Sequence, residues 1–252
     1  MTILIWNSKG GVLKTSLTML FSSFLSSNNK KVLIIDTDPQ SSTSQLLGVN
    51  KDKERNLYKF LMGEIPISES YLPTEHKNIY IIPGNINVFK IDSRILPNQL
   101  SKAIQFIKKE FDYILIDTPS SYNTVIISSI FAADKVIIPT PFSGVDLSEL
   151  SFVLNEIAEL KPNMEKIIVG TRTTHADKLS NEEKEYVDQY KEIIGPYLSE
   201  YFIPDTKLVR RAFDRGESLN KDDESSRKFR QSLKSLVEKV TGEKFGNEFV
   251  EV

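Results

Sequence analysis

Residues 9–15 read Lys-Gly-Gly-Val-Leu-Lys-Thr, with Ser16 behind them and an apolar run, Ile3 to Trp6, in front. Adjacent glycines let a loop turn successive backbone N–H groups inward, and a helix start behind it adds the positive end of its dipole. Residues 10–13 and 16 would thus cradle phosphate oxygens (Gly10, Gly11, Val12, Leu13, Ser16). Lys14 would neutralise terminal phosphates, and the Thr15 hydroxyl would hold Mg²⁺. Lys9, between a strand end and the two glycines, points at phosphate as well. Leu13 breaks the pattern, because loops of the form GxxxxGK[ST] carry glycine there and leucine adds bulk where the backbone meets the ligand. Three outcomes stay open. Its side chain points away and slow hydrolysis survives; binding survives with hydrolysis crippled; or the chain binds nucleotide poorly and serves as a binding module.

Two carboxylate motifs follow, Asp36-Thr-Asp-Pro-Gln40 and Asp117-Thr-Pro119, each directly after an apolar run. Mg²⁺ takes hard oxygen ligands and keeps several waters, so strand-end aspartates beside a threonine hydroxyl suit it. Asp36 and Asp117 are the candidates for the metal, with Thr15. Asp38 is the candidate acceptor that orients an attacking water. A lone strand-end aspartate is more often a turn or helix-cap residue, and Asp36 is open to that reading.

Those residues must be carried by a scaffold. Six short apolar runs recur at wide spacing: Ile3–Trp6, Val32–Ile35, Ile79–Ile82, Tyr113–Ile116, Val136–Ile138 and Ile167–Val169. They are continuous rather than alternating, as strands buried on both faces of a parallel sheet are. Between them, Leu17, Leu20, Phe21, Phe24 and Leu25 keep helical spacing, as do Leu147, Leu150, Leu154, Ile157 and Ala158. The alternation predicts an α/β fold, a doubly wound and mostly parallel sheet flanked by helices. In such a sheet ligands sit at the carboxyl ends of the strands. Residues 50–76 read as an irregular insertion, 172–190 as a polar stretch ending in a surface helix, and 225–240 as a weaker helix. Residues 242–252 read as a flexible tail.

Composition narrows the rest. With 252 residues the chain can bury about 70–75% of its unfolded surface, and one domain over 1–252 is expected. Basic and acidic side chains number 32 and 34, so any grip on nucleic acid must come from a local patch. The lack of cysteine excludes disulfides, thiolate zinc and iron–sulfur ligation, and two histidines are too few for a histidine metal site. With no signal-like or long uncharged apolar run, a cytoplasmic protein with no membrane partner is expected.

Taken in order, these motifs resemble those of the deviant-Walker-A ATPases of the ParA/Soj/MinD group. That family's Lys-Gly-Gly-x-Gly-Lys-Thr is matched at 9–15 except at Leu13, and its Asp-x-Asp-Pro-Gln at 36–40. Its Ile-Asp-x-Pro-Pro-Ser is matched at 116–121 with Ser120 for the second proline. The resemblance implies an ATPase that binds ATP and ADP and forms a homodimer on ATP. Lys9 would reach across to the partner's phosphates, and Lys9, Lys14 and Asp38 would be the catalytic set. It places Thr171, Pro204 and Asp205 by the adenine. The acidic last residues favour the partition branch over the MinD-like positioning branch, whose tail is basic and membrane-binding. Resemblance to the partition branch, in a chain that opens on its first strand, implies a small ParA without the helix-turn-helix domain of larger relatives, nucleoid-associated, binding non-specific DNA and stimulated by a ParB-type partner. For the DNA, residues 205–230 hold eight basic and six acidic side chains. The candidates are Lys207, Arg210, Arg211 and Arg215, which dimerisation would duplicate on one face.

Overall fold

The computed structural model describes residues 1–49, 54–91, 94–143, 146–204 and 223–246. The strands are β1 (Thr2–Ile5), β2 (Val32–Asp36), β3 (Leu72–Pro73), β4 (Ile79–Ile82), β5 (Tyr113–Asp117), β6 (Lys135–Thr140), β7 (Glu165–Thr173) and β8 (Ile203–Pro204). The helices are α1 (Lys14–Ser27), α2 (Ser42–Leu46), α3 (Leu57–Leu61), α4 (Ile67–Ser70), α5 (Gln99–Ile107), α6 (Thr124–Ala132), α7 (Asp146–Leu160), α8 (Asn181–Gln189), α9 (Lys191–Ile194) and α10 (Glu224–Thr241).

The eight strands form one sheet in the order β3-β4-β2-β5-β1-β6-β7-β8. All neighbours are parallel except β3 on β4. Each central strand is apolar on both sides because both faces are covered. Ile3 and Ile5 face α1 and α10, where Leu17, Phe21, Phe229 and Leu233 pack. Leu4 and Trp6 face the layer of α5, α6 and α7, with Leu100, Ile126 and Val153. All six apolar runs of the sequence are strands. The β7 strand extends to Thr173, so the polar stretch begins one strand turn later than expected.

Of the helical stripes, Leu17 to Leu25 is buried as predicted, whereas Ala158 on α7 is exposed. Residues 242–246 pack on the body rather than hanging free. The Glu243 carboxylate accepts from Lys30 Nζ at 2.6 Å and from the Tyr113 hydroxyl at 2.6 Å, and Phe245 stands edge-on to Phe24. Two aspartates end paired strands side by side: Asp36 and Asp117 are register partners across β2 and β5. With β1 beside β5, this brings the start of the 7–14 loop and both carboxylate motifs to one edge of the sheet.

Candidate functional site

The loop between β1 and α1 is tied at its start. Asn7 Nδ2 donates to the Pro139 carbonyl at 2.8 Å, at the end of neighbouring β6. Its Oδ1 accepts the Lys9 N–H at 2.9 Å. Lys14 folds back across the loop, its Nζ donating to the carbonyls of Lys9 at 2.7 Å and Asn7 at 3.1 Å. Burial lowers the Lys14 pKa, and the charges of Asp117 and Asp38 oppose that. An ammonium held this way across the loop is placed to meet an anion.

Leu13 closes the loop as the residue ahead of α1, with φ 70° and ψ 30°. Its carbonyl accepts the first helical bond, from Leu17 N at 2.9 Å. That left-handed conformation is one glycine adopts freely and a branched residue adopts at a cost of roughly 1–2 kcal/mol. The leucine side chain packs against the core on the α1 face of the sheet. It therefore leans on the protein while the backbone keeps a glycine-like turn. Gly11, with φ +72°, needs its missing side chain for the same reason.

Asp117 is fully buried and surrounded by hydroxyls. Thr15 Oγ1 donates to its Oδ2 at 2.9 Å, Thr43 Oγ1 donates to the same oxygen, and Thr18 Oγ1 to Oδ1 at 3.3 Å. Burial raises the pKa of Asp117, as does the nearby charge of Asp38, while the three hydroxyls oppose the rise. Two hard oxygen groups, Thr15 and Asp117, meet within hydrogen-bonding distance beside Lys14, and this donor set fits Mg²⁺. No group of three or more carboxylate, histidine or cysteine ligands exists among the described residues. A cation here would draw its other ligands from water and phosphate, as Mg²⁺ commonly does.

Asp36, expected among the metal ligands, is held by its neighbours. Its Oδ2 accepts both the N–H of Ser44 at 3.0 Å and its hydroxyl at 2.6 Å, and its Oδ1 accepts the Asp38 N–H at 3.1 Å. Ser44 on α2 lies over the end of β2 and takes the carboxylate that the strand would otherwise present. Asp36 thus organises the loop that carries Asp38. Burial first, then the Asp117 charge, push its pKa up to about 7. Asp38 is only part-buried, its Oδ1 accepting the Gln40 N–H at 2.8 Å, and its charge acts on both Lys14 and Asp117.

Two residues escaped the sequence reading. A Cβ at Gly84 would stand 2.7 Å from both the Asp38 carbonyl and Ser41 Oγ, so only glycine lets the end of β4 seat the Asp38 loop. A Cβ at Gly11 would stand 3.5 Å from Arg172 Nη2, which puts a guanidinium over the phosphate loop from the end of β7. Arg172 directly follows Thr171, and a basic residue at a strand's carboxyl end was the available signal. Thr171 and Pro204 are both buried at the ends of β7 and β8, and the Thr171 hydroxyl has no hydrogen-bond partner among the described residues. Asp205 and the DNA candidates Lys207, Arg210, Arg211 and Arg215 lie outside the described residues.

Comparison with known proteins gives one family match, two sequence relatives and two structural neighbours. A family model described as "AAA domain" matches residues 1–169. The sporulation initiation inhibitor protein Soj of Bacillus subtilis is 28% identical over 233 residues, 89% of this chain and 92% of that protein. The chromosome partitioning protein ParA of Caulobacter vibrioides is 28% identical over 218 residues, 82% of this chain and 81% of its own. Among solved structures, a Cyanothece McdA–ATP complex superposes with a TM-score of 0.83 at 20% identity, covering 99% of this chain and 98% of that one. A plasmid partition protein of Borrelia burgdorferi bound to AMPPNP gives 0.78 at 21% identity, covering 94% and 98%. At those identities the likeness shows the fold.

Proposed function

The chain belongs to the AAA-domain family as a ParA/Soj-type P-loop ATPase, and on that premise we propose that it partitions DNA through an ATP-switched dimer. The single observation that carries the reading is the convergence of Lys14, Thr15, Asp38 and Asp117 on one strand-end crevice. Lys14 binds the phosphates of its own subunit, drawn from the Lys9 and Asn7 carbonyls onto a better acceptor. Thr15 and Asp117 would hold Mg²⁺, which neutralises charge on the phosphoryl group. Asp38 accepts a proton of the attacking water and so aims it. Lys9 extends to the partner's nucleotide, where it offsets charge that develops in the transition state. The backbone N–H groups of residues 10–16 cradle the phosphates, and Thr171, Pro204 and Asp205 flank the adenine.

The dimer then presents Lys207, Arg210, Arg211 and Arg215 of both copies to the DNA backbone, with affinity that falls steeply as salt rises. Hydrolysis, slow alone and faster with a ParB-type partner, returns the monomer. Sequence relatives that are chromosome partitioning proteins, and a structural neighbour that is a plasmid partition protein, support this choice of cargo. A MinD-like positioning ATPase with a cargo other than DNA is the second reading, favoured by the superposition on the cell division ATPase MinD of Pyrococcus furiosus.

Asp38→Ala tests the mechanism. ATP should still drive dimers in sedimentation velocity, while steady-state phosphate release falls to background. An Asp38→Ala protein with full turnover removes Asp38 from the catalytic set.

A further inference from the structure

The charged groups of the site described above are held by the protein itself. Lys14 donates to two carbonyls, Asp117 accepts from three hydroxyls, and Asp38 accepts the Gln40 N–H. Arg172, at the carboxyl end of β7, differs. It is exposed and makes no hydrogen bond or ion pair among the described residues. Yet a Cβ on Gly11 would stand 3.5 Å from its Nη2, so the guanidinium lies against the phosphate loop.

Its backbone is strained. Arg172 has φ 55°, in the left-handed region that a residue with a Cβ occupies only at a cost. A β-bulge is the cause. Thr171 pairs with Ile203 and Thr173 with Pro204, so β7 advances two residues where β8 advances one, and Arg172 is the extra residue. In regular alternation residue 172 would follow Ile168 and Gly170 onto the face where Phe142 and Phe202 pack. The bulge releases it from that row, and the side chain reaches the loop instead. The preceding residue, Thr171, carries a buried hydroxyl with no partner among the described residues. A strained backbone, an unpartnered cation and an unpartnered hydroxyl on consecutive residues mark a place that a ligand completes.

From this geometry we infer that Arg172 is a phosphate-binding residue of the nucleotide site, its guanidinium gripping the phosphates of ADP and ATP alike. The inference rests on the reading of residues 9–15 as the nucleotide loop. A guanidinium presents its N–H donors in a planar fork that takes phosphate oxygens two at a time, and such charge-assisted bonds are among the stronger ones. Phosphates seated on the Gly11 backbone come within its reach. The bulge fixes the side chain there before the ligand arrives, so little order is left to impose on binding. Because the contact is common to both nucleotides, Arg172 acts on affinity rather than on phosphoryl transfer.

Calorimetric titration of the full chain with Mg-ADP tests this. ADP does not drive dimers in the proposed cycle, which keeps association out of the measurement. Arg172→Gly should bind ADP about tenfold or more weakly, while its melting temperature without nucleotide holds or rises, because glycine accepts this backbone freely. Arg172→Lys keeps the charge without the fork and should fall between the two. Arg172→Asn tolerates the same backbone and should match the glycine variant, even if glycine loosens the strand end. Inorganic pyrophosphate, competing for the site, should lose as much affinity as ADP in both variants. Lys14→Ala marks the loss that comes from the loop itself. Unchanged ADP affinity in folded glycine and asparagine variants overturns the inference and leaves the proposed function standing. A loss confined to ADP, with pyrophosphate unaffected, also overturns it, since the guanidinium then serves the base or ribose. A wild type that binds neither ADP nor pyrophosphate removes the nucleotide site and this assignment with it.

Discussion

Leu13 is the residue that departs from the phosphate-loop pattern. Its backbone already occupies the left-handed turn that glycine normally supplies, and its side chain rests on the core. Replacing it by glycine relieves about 1–2 kcal/mol of strain. It also surrenders side-chain packing and adds about 0.5–1 kcal/mol of chain entropy to lose on folding. We expect Leu13→Gly to shift stability by no more than about 1 kcal/mol and to change steady-state ATP turnover less than severalfold. A large gain in turnover would show that the leucine obstructs the site.

Asp36 gives a sharper signature in pH. Its pKa rises from 3.8 in the unfolded reference to about 7 in the fold, chiefly through burial. Between those values the folded carboxyl holds a proton that the unfolded one has released. Its contribution to stability therefore declines as pH climbs through that window. Thermal melts of wild type and Asp36→Asn without nucleotide, from acid to neutral pH, should diverge in slope, the asparagine variant lacking this part of the decline. Parallel curves would contradict the buried-carboxyl account. Sequence spacing singled out Lys14, Thr15, Asp38 and Asp117 because each belongs to a contiguous motif. It missed Arg172, whose closeness to Gly11 arises only when β7 reaches the site from far along the chain.

The loop after β2 is where element and site meet. Asp36 and Ser44 hold it from within, and Gly84 at the end of β4 leaves it room. An alanine at 84 collides with the Asp38 carbonyl and Ser41 Oγ, so the loop must move and carry Asp38 with it. Gly84→Ala should lower turnover by about tenfold or more, on the scale of a displaced general base. Nucleotide binding, governed by the 9–15 loop, should persist, as equilibrium titration with a fluorescent ATP analogue would show. Equal losses of binding and turnover would mean that Gly84 supports the whole site.

The six long strands were legible because burial on both faces leaves an unbroken apolar run. The two-residue strands β3 and β8 were not, since Leu72–Pro73 and Ile203–Pro204 carry too few residues for any period. The contacts of the 242–246 segment were hidden for a related reason. What holds it is one carboxylate on Lys30 and Tyr113 and one ring on Phe24, contacts that no local pattern announces.

For the whole molecule, the parallel sheet gathers the phosphate loop, the Thr15–Asp117 pair and the aspartate proposed to orient water, Asp38, at a single edge. That edge can act as a switch only if its occupancy changes what the surface binds. The near balance of charge, 32 basic against 34 acidic residues, makes constitutive attachment to DNA weak and leaves room for nucleotide to control it. Lys14→Ala should abolish ATP-driven dimers in sedimentation velocity, because the loop loses the cation that meets the phosphates. Persistence of ATP-driven dimers in that variant would place the switch outside the loop.

The most direct measurement is retention of the full chain on non-specific duplex DNA with Mg-ATP, with ADP and without nucleotide, at two salt concentrations. The account predicts salt-sensitive retention with Mg-ATP and release in the other two states. Retention that ignores nucleotide would contradict it and leave a DNA-binding module in place of a switch.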